Sequence, residues 1–410
     1  MTSSVTWVGA GRSSIILSMK KKTPSTDNDA PASSAPCEGL YLDHNATTPL
    51  APEVADILRE TIHAFGNPSS RHTPGVDAHR IVETARRQVA TLIGAAPEEI
   101  VFTSGGSESD NLAIKGVAGL RPNSHLISQA SEHPAILEPL RALERLGHEI
   151  TILPVDRHGL VDPRAVRDAL RENTALVSVQ HANGETGTIQ PLAEIAEILR
   201  PRGVLFHTDA AQSVGKIRVH VDTLNVDLLT IAGHKIYAPK GVGALYVRSG
   251  VELEPVIHGA NHEAGRRAGT EAVHQVAALG QACELASAAL GTPAGEAQRL
   301  RDLLHSTLEE SIPKLRLQGH PALRLPNCLN VSFPDVHGAN LLDRASDVFA
   351  STGSACHEGH VALSPVLEAM GITPDEGRGT VRLSLGRTTT ENDVLRAAQS
   401  LVAAHRGLTQ

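Results

Sequence analysis

Short apolar runs alternate along this chain with longer stretches whose apolar residues recur every three or four positions. Ile100–Thr103, His125–Ser128, Glu149–Pro154, Ala175–Gln180, Val204–Thr208 and Asp227–Ile231 carry the pattern of β-strands. Val76–Leu92, Ala135–Leu146 and Leu192–Leu199 carry the helical pattern, with Pro134 and Pro191 standing where first turns begin. Regular β/α alternation predicts an α/β fold with a mostly parallel, covered sheet, whose ligands gather at the carboxyl ends of the strands. A long Ala-rich helix is expected over Glu271–Leu290, followed by a soft boundary at Gly291-Thr292-Pro293. Beyond it the pattern is that of a smaller α+β unit, with a helix at Gln298–Leu315 and strands at Cys328–Phe333 and Thr380–Leu385. No fixed-period repeat interrupts this order.

Composition narrows the function classes. The chain has 410 residues, enough for two domains and a sizeable core. A formal charge of −8 leaves no basic footprint for nucleic acid, and no apolar run reaches the length of a membrane span. With aromatics at only 2%, the core must be built from Leu, Val, Ile and Ala. Four cysteines (Cys37, Cys283, Cys328 and Cys356) show no paired spacing, which fits a reduced, cytoplasmic setting better than a disulfide framework. Residues 1–37 are rich in Ser, Thr, Pro and Lys, with no acid before Asp27. They are expected to form a disordered tail, a transit segment being the alternative.

Six segments carry candidate chemistry, each with a plainer reading beside it. Lys235, in Gly233-His234-Lys235, stands between two apolar runs, where a lysine is costly to bury unless paired or covalently engaged, for example as a Schiff base with an aldehyde cofactor. Thr103–Ser109 follows a strand and enters a helix, so Gly106 and Ser107 offer an N–H and hydroxyl cradle for an anion, or else an ordinary capped turn. Asp209 closes a strand, either as the acid that keeps a pyridine nitrogen protonated or as a helix N-cap. His133, before Pro134, is either a stacking acid/base or a packing residue. Cys356 sits in a small polar stretch, Ser351–His360, read as a flexible loop. His357 and His360 would favour its thiolate, and Cys-His-x-x-His is also a partial metal pattern that no second cluster completes. Arg382, in a strand, offers a fork to a carboxylate or makes a structural ion pair.

Taken together, these residues resemble the pyridoxal-phosphate cysteine desulfurases of the class-V aminotransferase type, including their selenocysteine lyase relatives. The resemblance rests on Tyr41–Pro49, Phe65–Ser70, Thr103–Asn111, Glu132-His133, Asn183–Gly187, His207–Ser213, Gly233–Lys235, Arg267–Thr270 and Gly353–Cys356, in the family's order across residues 41 to 387. It implies a fold-type-I transferase: a large domain, 47–290, with a mostly parallel seven-stranded sheet, and a small α+β domain, 38–46 with 291–410, carrying the cysteine. It implies pyridoxal 5'-phosphate as cofactor and Lys235 as its Schiff-base lysine and Cα proton carrier. Asp209 would face the ring nitrogen, Gln212 the phenolic oxygen and His133 the ring face. Ser107, Gly106, His234 and the backbone of Ala232 would hold phosphate, with Thr270 reaching across from a second subunit of a homodimer. Arg382, with Asn67 near it, would anchor the substrate carboxylate. Cys356 would take sulfur from L-cysteine as a persulfide for an acceptor protein. Two departures stand out. The family's Asn-Asn-Glu is Asn183-Gly184-Glu185 here, so Asn183 is the remaining candidate for that cofactor contact, and Ala232 stands where a serine is common.

The leading expectation is therefore a cysteine desulfurase. A selenocysteine lyase, favoured by the Cys-His-x-x-His stretch and Ser364–Leu367, is the nearest alternative. A pyridoxal enzyme that cleaves C–S bonds without a persulfide is a further one.

Overall fold

The structure, a computed structural model, describes residues 39–290, 295–352, 354–357 and 360–410, with backbone alone for 354–357 and 360–362. The expected tail and the Gly291-Thr292-Pro293 boundary fall outside those residues. In chain order the strands are β1 (Leu40–Tyr41), β2 (Ile100–Thr103), β3 (His125–Gln129), β4 (Glu149–Leu153), β5 (Thr174–Ser178), β6 (Leu205–Asp209), β7 (Leu228–Ala232) and β8 (Gly243–Val247). There follow β9 (Arg316–Leu317), β10 (Cys328–Ser332), β11 (Val348–Phe349), β12 (Ser351–Thr352), β13 (Ser354–His357), β14 (His360–Leu363) and β15 (Thr380–Ser384).

Seven of them form the main sheet, in the order β2-β8-β7-β6-β5-β3-β4. β4, β3, β5, β6 and β7 run parallel, and β8 runs antiparallel between β7 and β2. The central strands are buried on both faces, as covered parallel strands must be, because Val, Ile and Leu occupy both pleat positions. One apolar layer sets Val82, Ala85 and Val89 of the helix Thr73–Ile93 and Leu279 of the helix Val273–Leu290 against Phe206, Leu229 and Ile231. The other sets Leu112, Ile114 and Val117 of the helix Gly106–Gly119 against Leu126, Leu176 and Leu245. The two helices of the first layer meet closely at Gly280, where an added Cβ would lie 2.7 Å from the Ala85 Cα. Among the described residues no helix is long and apolar enough to cross a membrane.

A second sheet, β12-β15-β10-β9, is antiparallel, and its core is closed by the helices Glu296–Ser311 and Glu391–Thr409. The first described residues belong physically with it. β1 pairs in parallel with β11, and Asp43 bridges Ser384. The chain then crosses to the main sheet through Asn45–Thr48.

The structure corrects one expectation here. Ser351–His360 is not an open loop, since β13 and β14 pair as an antiparallel hairpin with Cys356 opposite Val361. The small and β-branched residues Ser354, Ala355, Val361 and Ala362 suit that pairing. The side chains of Cys356, His357 and His360 lie outside the described residues. Strand ends also extend further than the apolar runs suggest. β6 includes Asp209 and β7 includes Ala232, because neighbouring strands supply ladder partners to residues that the hydrophobic pattern alone leaves out.

A buried ion pair ties the segment preceding Val273 to the main sheet. Arg86 forks onto Glu263 at 2.8 and 2.9 Å, and Glu263 Oε2 also accepts the Phe102 N–H of β2. Removing Glu263 leaves Arg86 with only the part-exposed Glu83 as counter-charge and the Phe102 N–H without its acceptor. Glu263→Ala is expected to lower stability by about 1–3 kcal/mol, read as an earlier urea midpoint.

Candidate active site

The carboxyl ends of β2, β3, β5, β6 and β7 open onto one cavity of about 220 Å³. Each strand delivers its functional residue at the turn that ends it. After β2, Gly105 adopts φ +148°, and the helix Gly106–Gly119 begins with its free N–H groups at the cavity, Gly106 and Ser107 on the wall. After β3, His133 caps the helix Pro134–Glu144, its Nδ1 accepting the Ala135 N–H at 3.1 Å. That bond puts the ring proton of the neutral imidazole on Nε2, and burial lowers the pKa of the group.

Asp209, the last residue of β6, accepts the Ala211 N–H at 2.9 Å. It caps a turn where a helix N-cap is the plainer expectation, and it also lines the cavity. Burial raises its carboxyl pKa, against the lowering charges of His133 and Lys235. Two further carboxyls lie beneath it. Burial pushes Glu132 up to about 8, and burial with Asp209's charge holds Asp110 well above the carboxylate range.

Lys235 follows β7 and donates to the carbonyls of Asn45 and Ala46, each at 2.7 Å. Burial first, then the charge of Arg382, brings its ammonium down to about 8. His234 lines the same cavity and shares a 3.1 Å hydrogen bond with Thr47 through Nδ1. On its other side Lys235 borders a second, largely apolar cavity of about 140 Å³, walled in part by Ile236, Tyr237, Ala286 and Leu385. That chamber has donors but no acid among its described lining residues, so the chemistry belongs to the Asp209 side.

Gly106, Ser107, His133, Asp209, Gln212, Ala232, His234 and Lys235 are thus brought together. The remaining candidates are not on that wall. Asn183 is a correction. Its Oδ1 accepts from the Glu185 and Thr186 N–H groups at 2.9 Å, and its Nδ2 donates to the Ser131 carbonyl at 3.0 Å, so its amide closes the Asn183–Gly187 turn instead. The neighbouring Gly184 explains the departure from Asn-Asn-Glu in physical terms, because an added Cβ would lie 2.8 Å from Gln212 Nε2. Gln212 occupies the space that a side chain at 184 would need. Asn67 remains on an exposed turn, its Oδ1 accepting the Ser69 N–H, and among the described residues it makes no hydrogen bond to Arg382. Thr270 is exposed on the segment that Arg267 ties to Glu108 at 2.8 Å. Arg382 of β15 stands behind Gly184 and donates to its carbonyl at 3.1 Å.

Sequence reasoning missed two residues. Lys216 donates to Gln212 Oε1 at 2.7 Å and to Asn45 Oδ1 at 2.8 Å, and burial and the Lys235 charge bring it down to about 7. Asn45 receives both lysines. Its presence in the Tyr41–Pro49 motif and the four-residue spacing from Gln212 to Lys216 were the available signals.

The class-V aminotransferase sequence model matches residues 40–396. The chain belongs to that family. Among curated relatives, a cysteine desulfurase IscS of Dictyoglomus turgidum is 45% identical over 87% of this chain and 91% of its own length. One from Methanosarcina thermophila is 44% identical over 88% and 91%. Among solved structures, a NifS-like protein superposes with a TM-score of 0.83 at 34% identity over 89% of this chain and 98% of that one. SspA in complex with cysteine gives 0.76 at 36% identity over 84% and 98%.

The cofactor of this family is pyridoxal 5'-phosphate. The cavity suits it on its own chemistry. A lysine amine of lowered pKa is available to the aldehyde carbon, and a helix N-terminus with Ser107 to the phosphate. Asp209, a buried carboxyl with a single N–H donor, lacks the counter-charge that a pyridinium would bring.

Because the Lys235 pKa is lowered, its neutral, nucleophilic form grows up to about pH 8 and then saturates, while ordinary lysines go on gaining toward about 10.4. Borohydride trapping of pyridoxal phosphate on cofactor-free protein, read by peptide mass spectrometry, should follow that curve at Lys235. The labelled peptide should disappear in Lys235→Arg.

Proposed function

We propose that this protein is a cysteine desulfurase that converts L-cysteine to L-alanine and leaves the sulfur on Cys356 as a persulfide. The observation that carries the reading is the convergence of Lys235, Asp209 and His133 on one cavity, with the guanidinium of Arg382 one residue behind its Gly184 wall. The relatives named cysteine desulfurase match over most of this chain, and one structural relative binds cysteine.

Bound in the cavity, pyridoxal phosphate supplies an electron sink for charge that develops at the substrate Cα. Ser107 and the N–H groups of Gly106 and Ser107 hold its phosphate at the helix N-terminus, with His234 beside them. Asp209 keeps the ring nitrogen protonated, and Gln212 donates Nε2 toward the phenolic oxygen. Lys216 fixes that orientation by holding Gln212 Oε1. Arg382 binds the substrate α-carboxylate. Lys235 takes the Cα proton, and the neutral His133 exchanges protons at Nε2. The Cys356 thiolate attacks the substrate sulfur. The C–S bond breaks, its electron pair leaves with carbon, and alanine is completed by a proton at Cβ and by return of the Cα proton from Lys235. Cysteine and thiol thus become alanine and persulfide with no outside oxidant.

Residues 47–290 form the large domain of this reading, and 38–46 with 291–410 the small one, a division supported by their separate apolar cores. Thr270, exposed and off its own cavity, is assigned to the phosphate of a second subunit in a homodimer. The persulfide passes to an acceptor protein. We place the enzyme in the cytoplasm, a setting that suits free, buried Cys283 and Cys328.

Exposure of the holoenzyme to L-cysteine should release alanine and add one sulfur to the Cys356 peptide in the mass spectrum. Cys356→Ala should abolish both, and His133→Ala should slow alanine release by about 10²–10⁴-fold. Undiminished alanine from Cys356→Ala would replace this reading with a persulfide-free C–S lyase. Alanine from L-selenocysteine alone would replace it with a selenocysteine lyase.

A further inference from the structure

Arg382 is already occupied. Its Nη2 donates to Asp43 Oδ1 at 2.6 Å and to Ser351 Oγ at 3.1 Å, and Nη1 donates to the Gly184 carbonyl at 3.1 Å. Ser351 Oγ donates in turn to the same Asp43 oxygen at 2.9 Å, which closes a triangle of guanidinium, carboxylate and hydroxyl. Among the described residues the buried Arg382 Nε has no hydrogen-bond partner. A planar guanidinium can grip a carboxylate with two parallel N–H bonds in only two ways, through Nη1 and Nη2 or through Nε and Nη2. Both ways use Nη2, and both hydrogens of Nη2 are engaged. No carboxylate can therefore dock in bidentate fashion until Asp43 or Ser351 gives up its place.

Of the two, Asp43 resembles the incoming group in charge and shape. Its side chain keeps 20% of its exposure, so once displaced it can be rehydrated. Its strand-side backbone is held independently, by the Asp43–Ser384 bridge and the Leu42 ladder bonds to Phe349 and Ser384, so the carboxyl can swing without unpicking the fold. The orphaned Nε would gain a partner in the same exchange, offsetting part of the cost of breaking the ion pair.

We propose that Asp43 is a specificity-determining residue. It acts as an internal carboxylate that holds Arg382 before substrate arrives and that the substrate α-carboxylate must displace, so it sets how strongly carboxylates bind. This rests on the assignment of Arg382 as the carboxylate anchor. Ligands without a carboxylate cannot make the exchange and leave the triangle intact. Removing Asp43 thus tightens binding for amino acids and leaves their carboxylate-free analogues unaffected, whereas a residue that merely orients Arg382 would weaken amino-acid binding when removed.

The test is calorimetric titration of the holoenzyme with L-alanine, the product, and with L-alaninol, which lacks the carboxylate. Asp43→Asn should bind L-alanine about tenfold tighter, about 1.4 kcal/mol, with L-alaninol unchanged. Ser351→Ala, which frees one Nη2 hydrogen and leaves the ion pair, should tighten L-alanine by a smaller factor and keeps the inference testable if Asp43→Asn folds poorly. Weaker or unchanged L-alanine binding in both variants would overturn the inference. Arg382→Ala separates the two claims. If it leaves L-alanine affinity intact, the anchor assignment itself falls. If it removes that affinity while Asp43→Asn fails to tighten it, only the role of Asp43 falls.

Discussion

Two lysines, Lys216 and Lys235, converge on a single residue, Asn45, and the site depends on that convergence. The Asn45 carbonyl accepts from Lys235 at 2.7 Å and from Gln212 at 2.9 Å, while its Oδ1 accepts from Lys216 at 2.8 Å and from Asn327 at 3.1 Å. Its Nδ2 donates to the Gly184 carbonyl, the same oxygen that receives Arg382. With no carboxylate in direct contact, the two ammonium groups are held by oxygen dipoles alone. Burial then lowers both pKa values, helped at Lys216 by the charge of Lys235 and at Lys235 by the charge of Arg382, which is what a lysine must have to act as a nucleophile and base near neutrality. Because Asn45 lies on the crossing from the second sheet to the first, the same bonds that tune Lys235 join the carboxylate anchor to the cofactor cavity.

The opposite wall is built from acids, and their burial sorts them. Glu132 takes the Gln180 N–H at 2.6 Å and a Gln129 amide at 3.0 Å, yet desolvation still carries it to about 8. Asp110, fully enclosed near His207, is held well above its ordinary range by burial and the charge of Asp209. At neutral pH Glu132 holds its proton, which spares Asp209 a like charge close by. Asp110 also reaches the cavity lining but is fully buried, whereas Asp209 is the more open of the two, so it is the acid within reach of a cationic ring. Three carboxyls in one layer thus differ in role because they differ in access.

Much of this was legible in the chain. The β/α alternation identified the covered sheet, and the residues after each apolar run (Ser107, His133, Asp209 and Lys235) proved to share one cavity, because parallel strands all point their carboxyl ends to one edge. Asn183 and Gly184 were not legible. Whether an amide faces a cavity or closes its own turn depends on the next backbone N–H groups, and whether a glycine leaves a gap depends on which distant side chain fills it. Gln212, from the turn after β6, fills it here. The hairpin at Ser354–Leu363 escaped the pattern because small polar residues carry little periodicity, and its pairing comes from the ladder alone.

By itself the sequence determined the fold class, the cofactor chemistry and the residue types that the reaction needs. Those are written in local hydrophobic period, in turn chemistry and in motifs contiguous along the chain. Tertiary structure decided what no local pattern encodes: that Lys216 and Lys235 meet on Asn45, that Gln212 takes the room left by Gly184, and that Asp43 already holds Arg382. Each of these joins residues more than a hundred positions apart, or turns on a few tenths of an ångström of packing, so it exists only once the two sheets are folded against each other.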